Sequence, residues 1–164
     1  MALDFYAAKR IAPYDLWIGS RRDSANAATA ARRGIGLVVN CTRDIPFKVP
    51  GVRRVRVPVD DAPSESPVFL EHVTKAVRAI QGTLDSGRGV LVHCYAGISR
   101  SASVVAAFLM AEEGLTAQQA IARIRRAKPE TFTPRANFGA ALAEVERVTR
   151  GGRARRGQHA RGRQ

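Results

Sequence analysis

Apolar positions recur along this chain with two periods, and the alternation between them predicts its elements. In "RIAPYDLWIGS" (residues 10–20) apolar and polar residues alternate as in a strand, with Pro13 at its edge. "DSANAATAARRG" (23–34) comes next, an alanine-rich helix with Asp23 or Ser24 as its N-cap and Gly34 as its stop. "IGLVVNC" (35–41) is a short apolar run typical of a buried strand. "VRRVRVPV" (52–59) alternates Val with Arg until it meets Pro58, and reads as another strand. From Ser66-Pro67, residues Leu70, Val73, Val77, Ile80 and Leu84 fall at steps of three or four and give a helix one buried stripe. "RGVLVHC" (88–94) returns as a strand, and "RSASVVAAFLMAEEG" (100–114) is apolar nearly all round, which predicts a central buried helix ended by Gly114. Thr116 and Gln119 have capping-box spacing at the head of the next helix. A final helix is expected from about Pro134 to Thr149.

Strands alternating with helices and ending in a run of helices define an α/β fold, a central sheet flanked by helices. At 164 residues the chain has the length of one domain. Residues 1–149 form that unit, and the arginine-rich segment 150–164 is expected to be a disordered tail. No apolar run reaches the ~20 residues that cross a bilayer. The opening stretch carries Asp4 and Asp15 and lacks the order of a secretion signal. With two cysteines, Cys41 and Cys94, a disulfide framework is excluded and no Cys/His spacing fits zinc. Reduced thiols fit a cytoplasmic protein, with no membrane and no metal expected.

Charge adds less than its size suggests. The formal net charge is +13, and removing the six arginines of residues 150–164 leaves +7 on residues 1–149. An anionic substrate suits such a domain, and the tail suits an acidic or nucleic-acid partner. The excess of 23 arginines over four lysines, in an alanine-rich chain, is equally a bias of composition that needs no nucleic acid.

The chemistry concentrates in "HCYAGISRSAS" (93–103), between a predicted strand and a predicted helix. Ligands of such sheets collect at the carboxyl ends of strands. There the loop amides of Tyr95, Ala96, Gly97, Ile98 and Ser99 and the start of the next helix face an anion. Gly97 permits positive φ or close approach. Arg100 offers a planar fork matched to two phosphoryl oxygens. Such positive surroundings favour the nucleophilic thiolate of Cys94. His93 is placed to hydrogen-bond the loop backbone, and Ser101 to donate its hydroxyl to the sulfur when it leaves. Each residue type also has a structural explanation, buried filler for Cys94 and a satisfied core position for His93, but the set together at one junction points to phosphate chemistry. "PVDDAPSES" (58–66) then supplies two adjacent carboxyls, Asp60 and Asp61, on a loop with Pro58 and Pro63.

His93-Cys94, five residues, then Arg100-Ser101 resembles the signature of the cysteine-dependent protein tyrosine phosphatases, and "HCYAGISRSASVVAAFLM" resembles the dual-specificity branch. "DLWIGS" with the strand-borne Asn40, "VRVPVDDAPSES", and in part "TPRANFGAALAEVE" are similar to further segments of that family. The resemblance implies a mixed central sheet, hydrolysis of phosphotyrosine or phosphoserine/threonine in a phosphorylated protein through a cysteinyl-phosphate, and no cofactor. It assigns Cys94 as nucleophile, Arg100 as phosphate clamp, Asp61 as general acid and base, and Asn137 as a support of the phosphate loop. It also implies a role some members give a second cysteine, here Cys41, in protecting the nucleophile through a disulfide; the plain alternative is a small buried hydrophobe. Other readings are a lipid or RNA phosphatase, or a phosphate-binding module without turnover. The loop's uncharged Tyr95, Ala96, Ile98 and Ser99 weaken the lipid reading.

Overall fold

The computed structural model describes residues 7–161. The expected strand at the start is two strands, β1 (Lys9–Arg10) and β2 (Leu16–Gly19), because a tight turn intervenes. Ile11 N–H donates to Leu16 O and Tyr14 N–H to Ile11 O across it, and Pro13 has no N–H to continue a ladder. Helices α1 (Arg21–Ser24) and α2 (Ala27–Arg32) come next, capped by Ser20 and Asn26 rather than by Asp23 or Ser24. Asp23 instead closes a capping box with Ser20. Strands β3 (Ile35–Asn40) and β4 (Arg53–Arg56), helix α3 (Ser66–Asp85), strand β5 (Gly89–His93) and helix α4 (Arg100–Glu113) complete the predicted alternation. Helices α5 (Ala117–Ala127) and α6 (Gly139–Arg161) end it, α5 with the expected Thr116/Gln119 box.

The sheet is mixed, in the order β1-β2-β5-β3-β4, with β1 antiparallel to β2 and the other pairings parallel. Period-two alternation divides its residues between two faces. Leu16, Ile18, Leu37, Val39, Val90 and Val92 join the large core beneath the α3–α6 layer. Trp17, Val38 and Leu91 turn to a smaller cluster with Ala30 of α2 and with Val49. Residues 101–110 of α4 are all buried, as an all-round apolar helix must be.

Helix α6 departs from expectation at both ends. It starts at Gly139, because Asn137 is turned to Asp61 and Phe138 packs on Phe69 with ring centroids 5.0 Å apart, holding the preceding residues in a turn. It also runs on to Arg161, so residues 150–161 are helical rather than disordered; residues 162–164 lie outside the described part. Arginine, alanine and glutamine favour helix. Arg150 pairs with Glu146 one turn back, and the Arg153 guanidinium donates to Ala111 O and Glu112 O at the end of α4. No described helix is long and apolar enough to cross a membrane.

Candidate active site

Three parallel strands end together. His93 of β5 lies between Gly19 of β2 and Asn40 of β3, so the residue after His93 emerges at the carboxyl edge of the sheet centre. That residue is Cys94. Its Sγ accepts a hydrogen bond from Gly97 N–H at 3.3 Å and lies 3.3 Å from Ser101 Oγ.

The loop between Cys94 and α4 curls around that sulfur because its carbonyls are tied outward. Arg21 N–H donates to Tyr95 O at 3.1 Å, and Phe132 N–H donates to Ile98 O at 2.9 Å. The amides of Tyr95, Ala96, Ile98 and Ser99 form no hydrogen bond among the described residues. Gly97 has φ +72°, and a Cβ there would sit 2.7 Å from Gly19 O, so only glycine lets the loop lie against β2. Ser99 precedes α4 but gives it no side-chain cap. The first amides of this 14-residue helix therefore remain available beside the thiol, a ready cradle for an anion.

Arg100 is half-buried, one guanidinium nitrogen donating to Val59 O at 3.1 Å while its buried Nε has no partner. His93 is fully buried, and that burial pushes its pKa down to about 4, with Arg56 and Arg100 adding to the effect. It is neutral at physiological pH. Its Nδ1 then carries the proton and donates to Cys94 O at 3.3 Å, because a carbonyl only accepts.

Asp61 is brought to the loop and Asp60 is not. Val55, Val57 and Val59 are buried at alternate positions, and Asp61 continues that side of the chain. Asp61 Oδ1 accepts from Ser99 Oγ at 2.6 Å and from Asn137 Nδ2 at 3.0 Å. Asp60 faces the other way, its Oδ2 lying 3.4 Å from Arg43 Nε. The Asn137 amide donates to Asp61, to Oδ1 and, at 3.4 Å, to the carbonyl, so it holds the same carboxyl that Ser99 of the loop holds.

Cys41 directly succeeds β3 and donates its N–H to His93 O at 2.8 Å, which puts it beside the strand that leads into Cys94. Both thiols are free. Burial pushes the Cys41 thiol well up, the Cys94 charge adds to this, and Arg100 opposes it.

Sequence reasoning missed three supports. The Ser20/Asp23 box was legible as Ser-x-x-Asp and sets α1, whose Arg21 N–H tethers Tyr95 O. The turn around Phe132, held by Arg125 donating to Thr131 O and Phe132 O, carries the Ile98 tether; no local pattern announces it. Nor does any pattern announce the Ser99–Asp61 bond.

A single thiol in an amide-lined strand-to-helix loop, with an arginine at the helix start and a carboxyl held against the rim, defines a cysteine-dependent phosphoester hydrolase. The chain belongs to the family described as dual specificity phosphatase, catalytic domain, whose model matches residues 16–148. It is 36% identical over 138 residues to human dual specificity phosphatase 28, covering 84% of this chain and 76% of that one. The crystal structure of human DUSP28 superposes with a TM-score of 0.80 at 34% identity, covering 87% of this chain and 95% of that chain. A mouse putative dual specificity phosphatase complexed with zinc tungstate gives a TM-score of 0.81 at 34% identity, over 90% of this chain and 91% of that chain. The protein is a protein phosphatase, an enzyme that hydrolyses phosphoesters of phosphorylated proteins.

Proposed function

We propose that this phosphatase works on phosphotyrosine and phosphoserine/threonine through a cysteinyl-phosphate, with Cys94 as nucleophile, Arg100 as clamp and Asp61 as acid and base. The observation that carries the proposal is the sulfur of Cys94 set among unpaired amides, with the carboxyl of Asp61 pinned to the same loop by Ser99. The loop amides of residues 95–99 and the Arg100 fork receive the three non-bridging oxygens. Sγ attacks phosphorus, the bond to the substrate oxygen breaks, and Asp61 gives that oxygen its proton. Two donors already occupy Oδ1, so Oδ2 is the oxygen that carries it. Asp61, now a carboxylate, takes a proton from water, the water oxygen bonds phosphorus, and the P–S bond breaks. Ser101 Oγ donates to the departing thiolate from 3.3 Å, and inorganic phosphate leaves. His93 holds the Cys94 carbonyl and exchanges no proton.

Residues 1–149 make up the catalytic unit. The two free thiols favour a reducing compartment, the cytoplasm. The arginines of segment 150–164 other than Arg150 and Arg153, which are held within the chain, are assigned to an acidic or nucleic-acid partner, with steep salt dependence, which a filter-binding titration with and without that segment tests.

The catalytic reading is tested with an aryl phosphate. Turnover that persists in chelator, is inhibited by vanadate and disappears in Cys94→Ser supports it; full activity in Cys94→Ser overturns it. Arg100→Ala weakens binding and rate together.

A further inference from the structure

Next to the nucleophile's loop lies a shallow cavity of about 240 Å³ lined by Ser20, Arg21, Arg22, Tyr95 and Ala96. Tyr95 and Ala96 are the two residues directly after Cys94, so the cavity adjoins the phosphate cradle. Tyr95 is 53% exposed, and the Arg21 guanidinium stacks 4.3 Å above its ring, which holds one cation at the rim.

Neither the Arg21 nor the Arg22 side chain has a carboxylate partner among the described residues, although Asp23 is adjacent in sequence. Asp23 is already engaged: Oδ2 accepts from Ser20 N–H and Ser20 Oγ, and Oδ1 from Ala8 N–H. Other arginines near the site are occupied. Arg43 pairs with Asp60 and Glu65, and Arg56 donates to Thr42 O and Ile45 O. The rim of the cleft therefore carries unneutralised positive charge on the α1 side, over a hollow large enough for one small anionic group.

We infer that Arg21, Arg22 and Tyr95 form a subsite for a second anionic group of the substrate, a carboxylate or a second phosphoryl borne one to three residues from the phosphorylated residue. The hollow adjoins the cradle, so the second anion belongs on a residue close in sequence to the phosphorylated one, since an extended peptide advances ~3.4 Å per residue. Arg22 makes the charge contact. Arg21, fixed on Tyr95, presents its edge to the incoming oxygens while the ring packs against the peptide. The inference rests on the phosphatase reading, which makes the cradle the place where the first phosphoryl sits.

The test measures binding, so it does not depend on turnover. Fluorescence anisotropy on Cys94→Ser protein compares four phosphopeptides whose neighbouring positions carry Ala, Asp, Lys or a second phosphoresidue. At low salt the Asp or the doubly phosphorylated peptide binds about fivefold tighter than the Ala peptide, the scale of exposed ion pairs, and whichever is tighter names the source of the anion. In the Arg21→Gln/Arg22→Gln background that ratio falls to about one, and in Arg22→Glu the Lys peptide becomes the preferred ligand. The ratio shrinks as salt rises, because the pairs are exposed. Equal affinities for the Ala, Asp and doubly phosphorylated peptides overturn the subsite, as does a preference that survives the double substitution. Should either variant lose all peptide binding, the salt dependence of the ratio in the Cys94→Ser parent decides: a salt-independent ratio overturns the inference. An aryl phosphate that the unsubstituted protein leaves intact would refute the catalytic reading alone, and the peptide affinities would still decide the subsite.

Discussion

Ser99 Oγ donates to Asp61 Oδ1 at 2.6 Å, so a residue of the phosphate loop holds the carboxyl that stands over it. Two segments far apart in sequence, the loop before α4 and the passage after β4, are thereby locked in one geometry. Asn137 adds a second donor to the same oxygen at 3.0 Å.

This bond predicts a split between the two aspartates and their partner. Asp61→Ala lowers kcat by roughly 10²–10⁴-fold, the usual contribution of a positioned acid, with a much smaller change in KM. Ser99→Ala leaves the carboxyl chemically intact but loosely held, and lowers kcat about tenfold, equivalent to one charge-assisted hydrogen bond. Asp60→Ala, whose side chain faces Arg43, leaves kcat within about twofold; a loss rivalling that of Asp61→Ala would assign the acid to Asp60. Steady-state kinetics on an aryl phosphate separates the three by the size of the kcat loss.

His93 makes stability fall in acid. Its pKa is about 4 in the folded protein against 6.5 as the reference value, so the unfolded chain binds the extra proton first. Stability is fully present above about pH 6.5 and is lost as pH falls through 4. Between pH 7.5 and 5 the single-site loss is about 2 kcal/mol. Urea unfolding at both pH values reads it, and His93→Asn, whose amide can still donate to Cys94 O, shows a correspondingly smaller drop. Imidazole NMR shifts that stay those of the neutral ring at pH 5 confirm the cause directly; a titration near 6.5 refutes it.

The parts of this molecule that were legible in its sequence are those set by repetition. Val, Leu and Ile at successive positions fix β3 and β5 because each face of the sheet meets its own core, and ten consecutive buried residues give α4 no outside. Cys94, Gly97, Arg100 and Ser101 were legible because the loop and the first turn of α4 carry all four within residues 94–101. The hidden parts depend on tertiary partners. Asn137 could be matched to the family's closing segment, yet where its amide points is decided by the approach of Asp61 from 76 residues away. The same holds for α6. Its composition past Thr149 looks like a solvated tail, and the carbonyls that receive Arg153 belong to α4.

The buried position of Cys41 predicts selective alkylation. Burial raises its pKa well above the ordinary thiol value and removes it from solvent. At neutral pH, iodoacetamide therefore adds one group to the native protein, at Cys94, and inactivation tracks that adduct. Cys41 reacts after unfolding. Peptide mass spectrometry distinguishes the sites, and early modification of Cys41 in active protein would show that the β3 end opens.

Arg153 ties the last helix to the centre of the molecule. Helix α4 ends at Gly114 in the left-handed conformation, with φ +73°, and its terminal carbonyls need donors. The Arg153 guanidinium supplies two hydrogen bonds, to Ala111 O at 3.0 Å and Glu112 O at 2.9 Å, and lies so close to Gly114 that a Cβ there would meet it at 2.9 Å. Because α4 begins at the phosphate cradle and ends at this contact, the cost of losing it falls on stability rather than on chemistry. Arg153→Ala lowers the unfolding free energy by about 1 kcal/mol, since the pair is exposed, and Tm by roughly 2–4 °C, with kcat on an aryl phosphate unchanged. Arg155→Ala, two residues along, is the matched control for losing one charge and leaves Tm within about 1 °C. If Arg153→Ala and Arg155→Ala shift Tm equally, the effect comes from net charge, and the contact with α4 contributes nothing.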